Sequence, residues 1–191
     1  MTSIKAVFIG ASAGGIQALK TLFYHLNGEF QLPIIVVQHL PQDSNIDPAL
    51  VFSNRSKMFF VEAADKVRIQ RGHVYFAPAG YHLLIESDFS FGLTQDEPVH
   101  FARPSIDVTF MSAAEVFGSR AFGVVLTGAN PDGADGLKQI GEAGGFTIVQ
   151  DPDEAETTMM PLSAIRIAQP KFVGRLPAIA EKLISLQGRA G

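Results

Sequence analysis

Short apolar runs alternate with helix-like segments along the whole chain. Ile4 to Ile9 and Leu32 to Gln38 are nearly continuous apolar runs, a pattern typical of strands that are buried on both faces of a sheet. Between them, Gly15 to Leu26 has the pattern of a helix. A strand, a helix and a second strand in this order predict a parallel sheet that is covered by helices.

The same alternation continues to the end of the chain and adds one antiparallel feature. Tyr81 to Glu86 and Phe89 to Thr94 predict a hairpin that turns at Ser87-Asp88. The other predicted strands are Phe59 to Glu62, Val74 to Ala77, Phe122 to Leu126, Thr147 to Val149 and Lys171 to Val173. The other predicted helices are Pro48 to Asn54, Ser105 (as the cap) to Val116, Gly133 to Ala143, Leu162 to Ala168 and Pro177 to Leu186. We therefore expect a single domain over residues 1–191 with an α/β fold: a doubly wound, mostly parallel sheet, an antiparallel hairpin insertion and helices on both faces.

Composition fits this fold and removes several classes of function. The chain has 191 residues, of which 47% are hydrophobic and 18% charged, so it can bury a substantial core. It has no cysteine, which excludes disulfides, thiolate metal sites and a cysteine nucleophile. The formal net charge of -4 indicates no basic surface for nucleic acid, and no apolar run reaches the length of a membrane span. We expect a cytoplasmic protein without membrane insertion.

A serine stands where the first predicted strand gives way to the first predicted helix. Ser12 is the centre of Gly10-Ala11-Ser12-Ala13-Gly14, a G-x-S-x-G sequence. A glycine-flanked turn of this kind exposes a serine hydroxyl at the top of a sheet, where it can act as a nucleophile. The first N–H groups of the helix, near Ala13 and Gly14, would bind a developing oxyanion. This context predicts a serine hydrolase.

The same turn has a second interpretation, the pyrophosphate-binding turn of a dinucleotide-binding domain. The G-x-G-x-x-G sequence of such a turn requires a second glycine where this chain has Ser12. The second predicted strand ends at Gln38-His39, and the first acid beyond it is Asp43, so no ribose-binding acid ends that strand. The nucleotide-binding alternative therefore fits less well, but it stays open.

Two further residues follow predicted strands at the same edge of the sheet. His39 comes directly after the second apolar run, and Asp132 lies in the loop after the strand that begins at Phe122. If that strand neighbours the first one, the three strand ends bring together a nucleophile, a base and an acid that orients the base. Each residue also has a simpler interpretation: His39 as a surface or packing residue, and Asp132 as the cap of the helix that begins at Gly133. The weaker histidine candidates are His25, His73, His82 and His100.

Several separated motifs are similar to those of one known family. They are Phe8 to Gly15, Val37 to Pro41, Phe76 to Gly80, Arg103 to Asp107, Leu126 to Ala134, Gln150-Asp151, Met160-Pro161 and Ala164-Ile165. In this order, and over nearly the whole chain, they resemble the catalytic domain of the chemotaxis protein-glutamate methylesterase CheB.

The resemblance implies hydrolysis of glutamyl γ-methyl esters on chemoreceptor helices with release of methanol, often accompanied by deamidation of receptor glutamines. It also implies a catalytic triad of Ser12, His39 and Asp132, the residues that the predicted topology selects. A methyl-accepting chemoreceptor-type protein would be the substrate, and chemosensory regulatory proteins are candidate partners. The resemblance implies no metal and no organic cofactor.

Three features depart from the better-known members of that family. Those members have a threonine after the serine and a methionine in the loop before the aspartate, where this chain has Ala13 and Ala129. Backbone N–H donors survive such changes, so we expect the same class of reaction. Full-length members also carry an amino-terminal receiver domain. Because the first predicted strand starts close to Met1, we expect no control by phosphorylation within this chain and no response to small phosphodonors.

Arg103, Ser105 and Asp107 allow more than one interpretation. All three could line a substrate cleft near the hairpin. Arg103 could instead form a surface ion pair, and Ser105 and Asp107 could stabilise the start of a helix. A catalytically silent protein-binding module with the same fold also stays open.

Overall fold

The computed structural model describes residues 5–26, 30–40, 47–52 and 57–188. Its strands are β1 (Ala6–Ala11), β2 (Ile34–Gln38), β3 (Phe59–Glu62), β4 (His73–Phe76), β5 (His82–Ile85), β6 (Phe91–Thr94), β7 (Ala121–Val125), β8 (Phe146–Gln150) and β9 (Phe172–Gly174). Its helices are α1 (Gly15–His25), α2 (Pro48–Phe52), α3 (Ile106–Phe117), α4 (Ala134–Glu142), α5 (Met159–Ala168) and α6 (Leu176–Gln187), with a 3₁₀ turn at Gly118–Arg120. The predicted elements are confirmed with ends shifted by a few residues, while Ile4, Ser53 and Asn54 lie outside the described residues.

The described strands form a seven-stranded parallel sheet in the order β3-β4-β2-β1-β7-β8-β9 and a separate antiparallel pair, β5-β6. In the centre, Gly10 of β1 lies opposite Val37 of β2 on one side and Val125 of β7 on the other. Every residue of these three strands is buried, which explains their continuous apolar sequences. The predicted class is confirmed: a doubly wound α/β sheet with an antiparallel hairpin.

Helices cover both faces of the sheet by packing on alternate residues of each strand. In β1, Val7 and Ile9 contribute to the apolar core on the side of α1 and α6, whereas Phe8 contributes to the core that includes residues of α3, α4 and α5. Complete burial of such a side chain contributes about 1.5–3 kcal/mol to folding. Within the described ranges, none of the helices combines the length and the apolar character that a membrane span requires.

The β5-β6 hairpin packs on α3 and helps to place the start of that helix. Thr109 Oγ1 donates a hydrogen bond of 2.7 Å to the carbonyl oxygen of Leu83, and Ser112 Oγ accepts one of 3.0 Å from the N–H of Ile85. Both contacts join α3 to β5. The inserted hairpin is therefore attached to the helix whose amino end reaches the candidate site.

Candidate active site

Ser12, His39 and Asp132 lie at the carboxyl ends of three adjacent strands. Ser12 follows β1, His39 follows β2, and Asp132 lies in the loop between β7 and α4. The N–H of Ser12 donates to the carbonyl oxygen of Thr127 (2.9 Å), and the N–H of His39 donates to that of Ala11 (3.0 Å). These hydrogen bonds join the three loops. The strand β7 lies next to β1, as the convergence of the three residues requires.

The side chains of His39 and Asp132 are in direct contact. His39 Nε2 lies 2.8 Å from Asp132 Oδ2; the aspartate side chain is fully buried and the histidine side chain is 12% exposed. Because Nε2 faces the carboxylate, Nδ1 is the ring nitrogen that remains for a serine hydroxyl, the reverse of the chymotrypsin arrangement. In the described structure no hydrogen bond joins Ser12 Oγ to His39. A catalytic hydrogen bond of this kind is often long or misaligned until substrate binds.

Asp132 is held by the amino end of α3. Its Oδ1 accepts hydrogen bonds from Ser105 Oγ (2.9 Å) and from the N–H of Asp107 (3.0 Å), and its Oδ2 accepts one from the N–H of Ile106 (2.7 Å). The interpretation of Asp132 as the cap of the following helix is wrong, because α4 is capped by Gly133 without a side-chain hydrogen bond. The carboxylate instead binds free N–H groups of a helix that is distant in sequence.

These contacts keep the carboxyl group of Asp132 ionised. Burial raises its pKa, but hydrogen bonds from His39 and from the N–H groups of Asp107 and Ile106 outweigh burial, so the pKa lies below its usual value. An ionised carboxylate fixes the tautomer of His39 and stabilises the imidazolium that forms when the ring takes a proton.

Asp107 lies beside this network and its pKa moves in the opposite direction. Burial raises the pKa of Asp107 to about 6 against the lowering effect of the Gly136 N–H, which donates to it at 2.6 Å; the charges of Asp132 and Asp135 raise it further. Its Oδ2 lies 3.3 Å from His100 Nε2. Asp107 occupies the first turn of α3, as the helix-start interpretation predicted.

Ser105 has a second contact that the sequence did not reveal. As predicted, it caps α3, accepting a long hydrogen bond of 3.5 Å from the N–H of Val108, but its hydroxyl also donates to Asp132. Its own N–H donates to Nδ1 of the buried His82 (3.1 Å), whose Nε2 contacts the carbonyl oxygen of Glu97 (3.1 Å). His82, a weaker candidate in the sequence, therefore helps to position Ser105, which in turn donates a hydrogen bond to Asp132.

Gln38, the last residue of β2, joins the loops of Ser12 and His39. Its Nε2 donates to the carbonyl oxygens of Ser12 (2.9 Å) and His39 (3.0 Å). The side chain lies against Gly15, where any Cβ would collide with Gln38 Oε1, so glycine is required at the start of α1. The signal in the sequence is a polar residue at the end of an otherwise apolar strand.

The N–H groups of Ala13 and Gly14, which the sequence predicts at the oxyanion site, are unpaired in the described structure, and so is that of Ala129 in the loop after β7. Gly14 has a left-handed φ of 77°, and a Cβ at this position would lie 2.8 Å from Glu156 Oε2. A side chain at position 14 would therefore collide with Glu156, which explains the glycine at this turn.

A cavity of about 510 Å³ opens beside His39. Its lining consists of His39, Leu40, Pro98, His100, Phe101, Ala102, Arg103, Pro104 and Asn130. Arg103 lines this cavity, and its Nη1 donates to the carbonyl oxygens of Gln95 (2.9 Å) and Asp96 (3.0 Å). No ion pair of Arg103 is present in the described part of the chain, where its guanidinium binds backbone carbonyl oxygens instead.

One group of side chains has the spacing of metal ligands. Among the described residues, ligand atoms of His100, Asp107 and Asp135 lie within 4.8 Å of one another. The two aspartates stand in the first turns of α3 and α4, where the helix dipoles favour anions over cations. We assign no metal to this group.

A serine near a buried His-Asp pair at the carboxyl edge of a parallel sheet is typical of serine hydrolases. Comparison with known proteins gives the family. The family model for the CheB methylesterase matches residues 7–183. The chain therefore belongs to the CheB methylesterase family, as its motifs indicated.

Relatives and a solved structure agree with this assignment. The crystal structure of the Thermotoga maritima CheB methylesterase catalytic domain matches with a TM-score of 0.91 and 33% identity, covering 97% of this chain and 100% of that one. A relative from Leptospira interrogans serovar Lai, provisionally named protein-glutamate methylesterase/protein-glutamine glutaminase, is 46% identical over 95% of this chain and 94% of its own length. The protein-glutamate methylesterase/protein-glutamine glutaminase of Hydrogenovibrio crunogenus is 36% identical over 96% of this chain but only 50% of that protein.

Proposed function

We propose that this protein is a serine carboxylic-ester hydrolase that removes methyl groups from glutamyl γ-methyl esters of methyl-accepting chemoreceptor-type proteins. The names of its relatives support the substrate class. The observation that carries the proposal is the 2.8 Å contact between His39 and the buried Asp132, at the strand ends beside Ser12.

The first half of the reaction transfers the glutamyl group to the enzyme. Ser12 Oγ attacks the ester carbonyl carbon while His39 Nδ1 accepts the hydroxyl proton, and Asp132 stabilises the resulting imidazolium through Nε2. When the tetrahedral intermediate collapses, the bond to the methoxy oxygen breaks. His39 returns the proton to that oxygen, methanol leaves, and a glutamyl ester of Ser12 remains.

The second half frees Ser12 and leaves a glutamate carboxylate on the receptor. His39 accepts a proton from a water molecule as the water oxygen attacks the acyl-enzyme, and it then protonates Ser12 Oγ as the acyl bond breaks. The unpaired N–H groups of Ala13, Gly14 and Ala129 are the candidate donors to the oxyanion in both halves. Loss of one such donor typically lowers turnover about 100- to 1000-fold.

The same residues can act on a glutamine side chain. The leaving group is then ammonia rather than methanol, and the acyl-enzyme is identical, so deamidation requires no further catalytic group. We extend the proposal to this glutaminase activity, which the names of the relatives include. A cytoplasmic location and control by other chemosensory proteins also belong to the proposal.

The decisive experiment measures methanol release from a methyl-labelled chemoreceptor. Ser12→Ala should lower the rate by several orders of magnitude without unfolding the protein. The matched control is Ser119→Ala, an exposed serine that precedes β7 at the opposite edge of the sheet, and its rate should equal that of the parent. Full activity of Ser12→Ala would point to another nucleophile. A folded parent protein that releases no methanol would favour the protein-binding alternative.

A further inference from the structure

The most exposed large apolar side chain in the described part of the chain stands at the rim of the cleft. Phe101 has a relative exposure of 104%, and the next value is 82% for Leu50. Phe101 belongs to the lining of the cavity beside His39. A single exposed apolar side chain is common on protein surfaces, so the importance of Phe101 depends on how the chain supports it.

The backbone holds Phe101 in a conformation that phenylalanine does not favour. His100 and Phe101 have φ angles of 50° and 61°, both in the left-handed region. They are the central residues of a two-residue turn that is closed by hydrogen bonds between Val99 and Ala102 (3.1 and 2.9 Å). Turns of this shape normally use asparagine, aspartate or glycine, because other residues are strained there. Such strain occurs preferentially at binding sites.

The turn is also fixed relative to the catalytic residues. His100 contacts Asp107 (3.3 Å), and the N–H of Asp107 donates to the carboxylate of Asp132. On the other side of the turn, Arg103 donates to the carbonyl oxygens of Gln95 and Asp96, which joins the two ends of the segment. A residue whose backbone is fixed before binding loses less conformational entropy when a partner covers its side chain.

Only a ligand that extends beyond the cavity can bury Phe101. A small ester held inside the cavity leaves this fully exposed ring in water, whereas a protein that carries the ester on its surface brings neighbouring side chains against the rim. The cavity wall nearby is partly apolar, with Pro98, Ala102 and Pro104. The position of Phe101 therefore fits a protein substrate rather than a small molecule.

We propose that Phe101 is a docking residue for the substrate protein, packing against apolar side chains that flank the esterified glutamate. This inference rests on the proposed function. Phe101 touches no reacting atom in this role. It acts on the affinity for the protein substrate and leaves the chemical step at Ser12 unchanged.

The test compares a protein substrate with a small one. Phe101→Asn removes the ring but keeps a residue that tolerates left-handed φ, so the turn is retained. We expect its KM for a methyl-labelled chemoreceptor to rise about 10- to 100-fold, the loss expected when a buried phenylalanine contact is removed. The KM for p-nitrophenyl acetate should change far less than the KM for the receptor, and Phe101→Tyr should restore the receptor KM. The matched control is Phe59→Asn, an exposed phenylalanine that begins β3 at the opposite edge of the sheet.

Three results would overturn the inference, and they are distinguishable. If Phe101→Asn has the KM of the parent on the receptor, Phe101 does not contact the substrate. If the variant loses activity equally on both substrates, Phe101 acts on the fold or on the catalytic residues. If the parent hydrolyses p-nitrophenyl acetate through Ser12 but releases no methanol from the receptor, the proposed function itself fails and the docking role fails with it.

Discussion

An Asp132→Asn variant would disturb four hydrogen bonds at once. In the described structure, each carboxylate oxygen accepts two: Oδ2 from His39 and the N–H of Ile106, Oδ1 from Ser105 and the N–H of Asp107. An asparagine has one acceptor oxygen, so its NH₂ group must replace one of the two carboxylate oxygens. The NH₂ group then faces either His39 and Ile106 or Ser105 and Asp107.

Either orientation leaves one backbone N–H without an acceptor. His39 and Ser105 can change roles and accept a hydrogen bond, but the N–H groups of Ile106 and Asp107 cannot. A buried unpaired group of this kind costs about 1–3 kcal/mol, and the loss of the charge weakens the remaining hydrogen bonds. We therefore expect the free energy of unfolding to fall by about 2–3 kcal/mol.

The same substitution should remove most of the activity. When the NH₂ group faces His39, Nε2 accepts the hydrogen bond, so Nδ1 carries the proton and cannot accept one from Ser12. Turnover should fall about 10⁴-fold, as it does for the equivalent change in a known triad.

Two measurements check this prediction. Urea unfolding followed by far-UV circular dichroism gives the stability, and methanol release gives turnover. The control is Asp153→Asn, an exposed aspartate, which should change the stability by less than about 0.5 kcal/mol. If Asp132→Asn unfolds at the urea concentration of the parent, or keeps more than about a tenth of its turnover, our account of the four hydrogen bonds is refuted.

The amino end of α3 gives two further predictions. Ser105→Ala removes a hydrogen-bond donor to Asp132 and a weak cap of α3. We expect the free energy of unfolding to fall by about 1–2 kcal/mol and the acid limb of the pH–rate profile to move to higher pH. An acid limb that does not move would contradict this prediction. Burial, with the charges of Asp132 and Asp135, raises the folded pKa of Asp107 from 3.8 to about 6. The stability contributed by its protonated form is therefore lost as the pH rises through that window. In urea unfolding, Asp107→Asn should therefore gain stability relative to the parent between about pH 4 and pH 7, and a constant difference would show that Asp107 titrates normally.

Local sequence patterns determined the order of the elements and part of the site. A strand buried on both faces must be apolar at every position, so β1, β2 and β7 were recognisable as continuous apolar runs. Ser12 and His39 could be placed at the carboxyl edge of the sheet because each directly follows such a run. Ser105 was recognisable as a helix cap, since capping depends on neighbours only three residues away.

Contacts between distant segments decided the rest. The periodicity of a strand shows that it is buried but not which strand lies beside it. From the sequence, the convergence of Ser12, His39 and Asp132 therefore depended on an untested assumption that β7 lies next to β1. The same limit explains why Asp132 was equally consistent with capping the helix that follows it, and why the contacts of Ser105, His82 and Gln38 were not foreseen. Ser105 is 23 residues from His82 and 27 from Asp132 along the chain. Gln38 is 26 residues from Ser12. Hydrogen bonds of this range exist only after the sheet has brought the loops together, because nothing in the local pattern specifies their partners.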